Sequence, residues 1–203
     1  MLATQILQDL ETENRDREQR YMTSEVSWNA YETLLAKIGD RGGYRIAYLD
    51  GTLEIMSPSR RHEGEKKRIA TLLEAYFEKT DTEYFPLGST TFRQPERSSG
   101  VEPDESYCID TEKEFPDLVV EVIVTSGGTN KLEIYRRLQV TEVWFWQNDR
   151  FSLFRLQDEE YEPISRSQLL PNLDLDTLAK CVGYTSQLEA VKVFRRAIAP
   201  RIG

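Results

Sequence analysis

The chain has 203 residues, the size of one ordinary domain, and is long enough to bury a core without a disulfide or a structural metal. Its composition is 39% hydrophobic and 30% charged, which excludes a disordered or fibrous protein. No apolar run reaches the roughly 18 residues of a membrane helix, so we expect no membrane span. The net charge of −9 argues against nucleic-acid binding through bulk positive charge. Two cysteines without a CxxC motif, and an N-terminus without a secretory signal, favour a cytoplasmic protein.

Residues 1–20 are predicted to form a loosely packed N-terminal arm, because their second half has no apolar face, and residues 21–203 to form one domain. Hydrophobic periodicity and turn residues then predict, in chain order, a helix over 27–37, a hairpin of strands 44–49 and 52–57, a helix over 61–79, strands over 84–92, 101–109 and 118–124, a helix over 131–138, strands over 142–147 and 151–156, and short helices over 167–178 and 186–199. We therefore expect an α/β (α+β) domain with a central mixed β-sheet flanked by helices.

Acidic residues are concentrated in one stretch of the chain. Residues 96–121 hold nine acids against two cations, a net charge of −7, whereas residues 60–68 and the C-terminal segment are basic. A carboxylate patch beside basic segments suits a metal-dependent site that acts on a polyanion. A solvated acidic loop is the ordinary alternative.

Three features within this part of the sequence suggest chemistry. Asp104 follows a proline at or near a strand, Glu121 lies in the apolar run LVVEVIV, and Lys131 begins the next helix. A buried, unpaired carboxylate costs several kcal/mol, so either Glu121 meets a cation or the predicted strand is wrongly placed. That cation is either a buried arginine or lysine, or a divalent metal such as Mg²⁺ or Mn²⁺ shared with Asp104. Asp104 as a turn cap and Lys131 as a surface residue are the structural alternatives.

A site of this kind suits hydrolysis of a phosphodiester. The metal lowers the pKa of a bound water and neutralises charge on the phosphate oxygens. An ammonium group beside it holds the attacking water and stabilises the charge of the transition state. Lys131 is the candidate for this ammonium.

The same residues resemble a known group of nucleases. An acid, a Pro-Asp, a strand acid and a lysine form the layout of the PD-(D/E)XK nuclease superfamily. The segments MSPSRRHEGEKKRI and PDLVVEVIVTSGGTNKLEIYRRLQVTEVWFW are similar to the Uma-type family of putative restriction endonucleases within it. The resemblance covers roughly residues 20–180. It implies a restriction-endonuclease-like core, Mg²⁺-dependent hydrolysis of DNA, and Asp104, Glu121 and Lys131 as the catalytic set, with the two acids as metal ligands.

One position departs from the superfamily pattern. The lysine normally stands two residues after the strand acid, where this chain has Ile123. Lys131 lies in the first turn of the following helix, and helical side chains lean toward the N-terminus of their helix. We therefore expect its ammonium to reach the same space and to pair with Glu121 when no metal is bound.

Several neighbouring residues are secondary candidates. Asp117 also follows a proline, but it lies about 13 Å from Glu121 along the same strand, so Asp104 is preferred. Tyr135 lies one helical turn after Lys131 and either orients the lysine or packs in the core. The remaining candidates begin the 61–79 helix, where they reach the site mouth or are ordinary polar residues: His62, Glu63 and Glu65.

The resemblance also suggests partners. Four basic residues at the start of that helix are candidates for phosphate contacts with DNA, or else form a solvated helix face: Arg60, Arg61, Lys66 and Lys67. A homodimer is expected, because cleavage of a duplex needs two active sites. The alternative function is a non-catalytic binding or scaffold protein on the same fold.

Overall fold

The computed structural model describes residues 18–39, 43–125 and 128–198. Within these ranges the strands are β1 (Gln19–Thr23), β2 (Arg45–Leu49), β3 (Thr52–Ser57), β4 (Tyr84–Pro86), β5 (Phe92–Gln94), β6 (Ser99–Val101), β7 (Glu105–Ile109), β8 (Leu118–Val122), β9 (Glu142–Gln147), β10 (Arg150–Gln157) and β11 (Glu160–Ile164). The helices are α1 (Trp28–Ile38), α2 (Arg60–Lys79), α3 (Lys131–Arg137), α4 (Leu175–Val182) and α5 (Gln187–Ala197), with a 3₁₀ turn at Pro95–Arg97. None of the described helices is long and apolar enough to cross a membrane.

The strands form two sheets rather than one. The six-stranded sheet has the order β11-β10-β9-β8-β7-β4 and is mixed, because β8 and β9 are parallel whereas its other neighbours are antiparallel. The five-stranded sheet has the order β1-β3-β2-β6-β5 and is antiparallel. The predicted α/β (α+β) class with a mixed sheet flanked by helices is therefore confirmed, and the second sheet is an addition to it.

Two predicted strands are each divided between the two sheets. The predicted strand 101–109 is split into β6 and β7 by Pro103-Asp104, and β6 and β7 lie in different sheets. Proline has no N–H to donate to a β-ladder, so it ends the first strand there. The predicted strand 84–92 is also replaced by two strands in different sheets, β4 at its start and β5 from its last residue onward. Asp104 consequently lies where the chain crosses between the sheets.

Strand β8 is covered on both faces, as its continuous apolar run predicts. Leu118, Val120 and Val122 pack with α2, α4 and α5 in the largest core cluster. Val119 faces the opposite way, into a second cluster made by α3 and the five-stranded sheet. Helix α1 packs on the five-stranded sheet in a third cluster. Glu121 shares its face with Val119, so it points toward α3 and the second sheet.

The ends of the chain differ from the predicted elements. Residues 1–17 of the predicted arm lie outside the described residues, and the predicted boundary at residue 20 falls within β1, which pairs with β3. The predicted helix over 167–178 begins only at Leu175, because the Asp174 side chain caps that helix by accepting from the N–H groups of Asp176 and Thr177. The hairpin turn has the predicted geometry, with φ angles of 45° at Asp50 and 85° at Gly51.

Candidate active site

Asp104 is fixed at the crossing between the sheets and is only 1% exposed. Its Oδ2 accepts a hydrogen bond from the backbone N–H of Val122, at the end of β8, at 2.8 Å. Its Oδ1 lies 2.8 Å from Nε2 of His62 and 3.6 Å from Nε of Arg45. The residue after the proline is therefore held beside the end of the strand that carries Glu121.

Glu121 is 5% exposed and is held by helix α3. Asn130 caps this helix by accepting from the N–H of Glu133, which makes Lys131 its first residue. Lys131 leans back so that its Nζ donates to Oε1 of Glu121 at 3.0 Å, and the hydroxyl of Tyr135 donates to the same oxygen. The ion pair expected from the displaced lysine is thus present. Among the described residues, both donors use Oε1 and leave Oε2 without a hydrogen bond.

The pKa values of the two carboxyl groups are shifted in opposite directions. Burial raises the pKa of Glu121, and the charge of Asp104 adds to this effect while Lys131 opposes it. Burial also acts to raise the pKa of Asp104, but the hydrogen bond and charge of His62, with the charge of Lys131, hold it below its ordinary value. Opposite shifts are the pattern of two acids that interact at one site.

The nitrogen bases of the site are charged. Burial acts to lower the pKa of Lys131, but the carboxylates of Glu121, Asp104 and Glu54 raise it, so the ammonium is protonated at neutral pH. Burial likewise acts to lower the pKa of His62, but hydrogen bonds to Asp104 and Glu18 raise it to about 9. His62 Nδ1 lies 3.0 Å from Oε2 of Glu18. The imidazolium therefore bridges two buried carboxylates.

The structure adds site residues that the sequence analysis missed. Glu54 is buried on β3, where it accepts from the guanidinium of Arg20 and from the backbone N–H of Thr129, just before α3. Its signal was available, because TLEIMS has an acid within an apolar strand, as LVVEVIV does. Arg20 also pairs with Glu18 at 3.1 Å. Nothing local in the sequence marks Arg20 or Glu18, because their other partners, Glu54, His62 and Thr125, are distant in the chain.

A cleft of about 320 Å³ opens beside Glu121 and Lys131. Its polar lining combines the two arginines of the site with the entrance of α3, and its apolar lining comes from both sheets. The lining residues are Arg20, Arg45, Ala47, Glu54, Met56, Glu121, Val122, Ile123, Thr129, Asn130, Lys131, Leu132, Phe145 and Gln147. Glu121 therefore faces a space that a small part of a substrate can enter, whereas Asp104 is not among the lining residues.

The remaining acidic candidates have different partners, and only one of them borders this cleft. Glu63 pairs with Arg45 at 3.2 Å, so it borders the site through that arginine. Glu65 accepts from Nε1 of Trp146 at 2.9 Å and contributes to packing between α2 and β9. Asp117 accepts from the N–H of Ile109 at 2.8 Å and holds the connection that precedes β8, so the structure does not bring it to the site.

The basic residues at the start of α2 are not equivalent. Arg60, Arg61 and Lys67 are exposed. Lys66 is buried, and its Nζ donates to Oγ of Ser89 at 3.1 Å. The prediction that Lys66 contacts phosphate does not agree with this burial, because its ammonium is turned into the protein. The helix faces solvent at the other three positions.

The described residues contain no group of three or more His, Cys, Asp or Glu side chains arranged to hold a metal. A metal bound between Asp104 and Glu121 would therefore have no third His, Cys, Asp or Glu ligand among the described residues. Mg²⁺ is commonly held by one or two carboxylates, with water and substrate oxygens completing its coordination. Oε2 of Glu121 and the remaining lone pairs of Asp104 are hard oxygen donors of the kind that Mg²⁺ and Mn²⁺ accept.

Fold and site together define the class of the protein. A mixed sheet with an acid on an interior strand, a second acid on the neighbouring connection, and helices on both sides is a restriction-endonuclease-like α+β fold. The Uma2 family model, described as "Putative restriction endonuclease", matches residues 28–185, more than three quarters of the chain. The protein belongs to the Uma2 family. A search of curated proteins gave no match.

Proposed function

We propose that this protein is a metal-dependent endodeoxyribonuclease in which Asp104 and Glu121 hold Mg²⁺ or Mn²⁺ and Lys131 is catalytic. The observation that carries the proposal is the 3.0 Å contact from Lys131 Nζ to Glu121, made from the helix that follows the strand. This contact supplies an ammonium beside the strand acid although Ile123 occupies the usual lysine position. Family membership supports nuclease activity.

The donor set suits a divalent metal. The two carboxylates are buried, which strengthens their attraction for a cation. Oε2 of Glu121 is left without a hydrogen bond among the described residues, and restriction-endonuclease-like proteins generally use divalent metals. When bound, the metal supplies an acidic water and neutralises charge on the phosphate.

Each residue of the site then has a task. The His62 imidazolium and the Val122 N–H hold the Asp104 carboxylate in one orientation. Tyr135 holds Glu121 in the same manner through its hydroxyl. Hydrolysis forms a bond from a water oxygen to phosphorus and breaks the bond to one bridging oxygen, which leaves with a proton. The Lys131 ammonium stabilises the charge that develops on the phosphate during this step.

DNA is the proposed substrate, and exposed Arg60, Arg61 and Lys67 are proposed phosphate contacts at the start of α2. The homodimer remains a prediction from the need for two cuts in a duplex, and sedimentation that shows only a 23.6 kDa species would contradict it. The cytoplasmic location also remains a prediction, which two free, buried cysteines agree with.

Cleavage assays test the proposed function. Wild-type protein with Mn²⁺ or Mg²⁺ is incubated with supercoiled plasmid and, separately, with circular single-stranded DNA, because an endonuclease cuts circles. We expect cleavage of at least one substrate, its loss with a chelator, and its loss in Asp104→Asn. Asp117→Asn is the matched control, since it changes the other Pro-Asp pair, and its folded fraction should still cleave. A pure, metal-loaded protein that cuts neither circle would favour the non-catalytic scaffold.

A further inference from the structure

Three residues that line the cleft beside Glu121 each have a buried polar atom with no hydrogen-bond partner among the described residues. These atoms are Nε of Arg20, Nε of Arg45 and Oγ1 of Thr129. The carboxylate oxygen of Asp104 that is nearest to Arg45 Nε lies at 3.6 Å, too far for a hydrogen bond. An unpaired buried donor costs about 1–3 kcal/mol, so three in one cleft indicate a missing acceptor. Phosphate oxygens are acceptors of the kind that these three donors lack.

The other part of the cleft is apolar. Phe145 is half-buried and lies directly across from Glu121 in the parallel pairing of β8 and β9, so both side chains are on the same face of the sheet. Met56, Ala47 and Leu132 complete this apolar lining. A partly exposed aromatic ring beside a phosphate-binding group is an arrangement on which a nucleobase stacks.

Size and burial limit how DNA can approach. At about 320 Å³ the cleft is at the small end of ligand pockets and has room for one nucleotide rather than a base pair. Glu121 is almost fully buried and lines the cleft, so the reacting phosphate must enter the cleft to reach it. A nucleotide inside a stacked duplex can enter such a site only after it is unpaired and rotated out.

Resting on the proposed function, we propose that the substrate is an unpaired DNA strand, with one nucleotide seated in the cleft. Its phosphate is bound by Arg20, Arg45 and Thr129, and its base packs on Phe145. The net charge of −9 agrees with binding inside a cleft rather than along a broad basic surface. A single active site cuts a single strand, so this substrate does not require the homodimer.

Binding measurements test the subsite directly. The Lys131→Met protein, made inactive for cleavage, is loaded with Mn²⁺ and titrated into a fluorescent short oligothymidylate or a hairpin duplex of equal length. We expect the single strand to bind at least about tenfold more tightly than the duplex. Adding Phe145→Leu should weaken single-strand binding about tenfold through loss of stacking. Phe115→Leu is the control, because Phe115 packs against the same core cluster but does not line the cleft.

Thr129→Val is a second variant that tests the same subsite if the Phe145 variant does not fold. Removing an unpartnered hydroxyl should leave the melting temperature unchanged or raise it, and should weaken single-strand binding about fivefold. Unchanged binding by Thr129→Val, or duplex binding as tight as single-strand binding, would overturn the proposal.

The cleavage assays separate this inference from the proposed function. Equal rates on circular single strands and on relaxed closed duplex would overturn the inference and leave the nuclease in place. Single-strand binding with the expected variant effects, but without cleavage of either circle by wild-type protein, would support the subsite and overturn the nuclease.

Discussion

Two glutamates on adjacent parallel strands show how differently the molecule treats a buried carboxylate. Glu142 begins β9 and is fully buried, and Glu121 lies near the end of β8 and is 5% exposed. Both oxygens of Glu142 are occupied. One accepts from Arg155 and the N–H groups of Gln168 and Leu169, and the other from Trp144 and Ser167.

Glu121 has a different set of donors. Lys131 and Tyr135 both contact Oε1, and Oε2 has no hydrogen bond among the described residues. The cleft reaches Glu121, whereas Glu142 is not part of its lining. Burial of an acid therefore does not identify a candidate site by itself. The difference lies in how many of its lone pairs the protein already uses.

The largest expected effect is the difference in Mn²⁺ binding between the glutamine variants of Glu121 and Glu142. In Glu121→Gln the amide oxygen keeps both donors, so the variant should fold, but the lost charge should abolish measurable Mn²⁺ binding and cleavage. In Glu142→Gln the new NH₂ group is a donor that faces other donors, because both oxygens of Glu142 accept hydrogen bonds. The free energy of unfolding should therefore fall by about 2–4 kcal/mol, while the folded fraction still binds Mn²⁺. Calorimetric titration and thermal unfolding measure both. If Glu121→Gln bound Mn²⁺ as tightly as the wild type, Glu121 would not be a metal ligand and would not differ from Glu142 in this respect.

Lys131→Met tests whether the ammonium beside Glu121 acts in catalysis or only balances charge. We expect a folded protein that retains Mn²⁺ binding but cleaves about 10²- to 10³-fold more slowly, as loss of one transition-state contact does. Lys131→Arg should restore little activity, because a planar guanidinium does not replace a compact ammonium. Lys113→Met, which removes a lysine paired with Asp117, is the control and should cleave normally. Unreduced cleavage by Lys131→Met would exclude its catalytic role.

Gly128→Ala is expected to move the loop before Lys131 while leaving the proposed metal ligands, Asp104 and Glu121, unchanged. Gly128 has a φ of 123°, and a Cβ there would clash with Nη1 of Arg20 and lie 2.8 Å from Oε2 of Glu54. We expect a loss of about 1–3 kcal/mol in the free energy of unfolding, with slower cleavage as α3 shifts. Gly64→Ala meets no atom within 4 Å and serves as the control. If both variants behave alike, the Arg20 and Glu54 contacts do not position the loop.

The pH dependence of metal binding gives the smallest effect. Burial raises the pKa of Glu121, so a metal must displace its proton over a pH range above the ordinary glutamate value of about 4.3. Mn²⁺ affinity should therefore rise with pH through this range, by less than about tenfold per pH unit for one proton. Proton release measured by calorimetry in two buffers checks this. Affinity independent of pH would mean that Glu121 is already ionised there.

Local patterns in the sequence are sufficient for much of the site. The apolar run around Glu121 predicts a strand covered on both faces, and the first-turn position of Lys131 predicts its contact with Glu121. The sequence does not predict β11, because EYEPI is polar, exposed and interrupted by Pro163. Apart from their contact with each other, Glu18 and Arg20 have partners that lie 34 to 107 residues away in the chain. Such long-range contacts have no local signature in the sequence.

The central claim is that Asp104 and Glu121 share one divalent metal. Crystals soaked with Mn²⁺ and measured at the manganese absorption edge test it most directly. We expect one anomalous peak within about 2.1–2.3 Å of a carboxylate oxygen from each residue, including Oε2 of Glu121, and none at Glu142. A fully loaded crystal with its manganese elsewhere, and with Lys131 still bound to Glu121, would contradict the account.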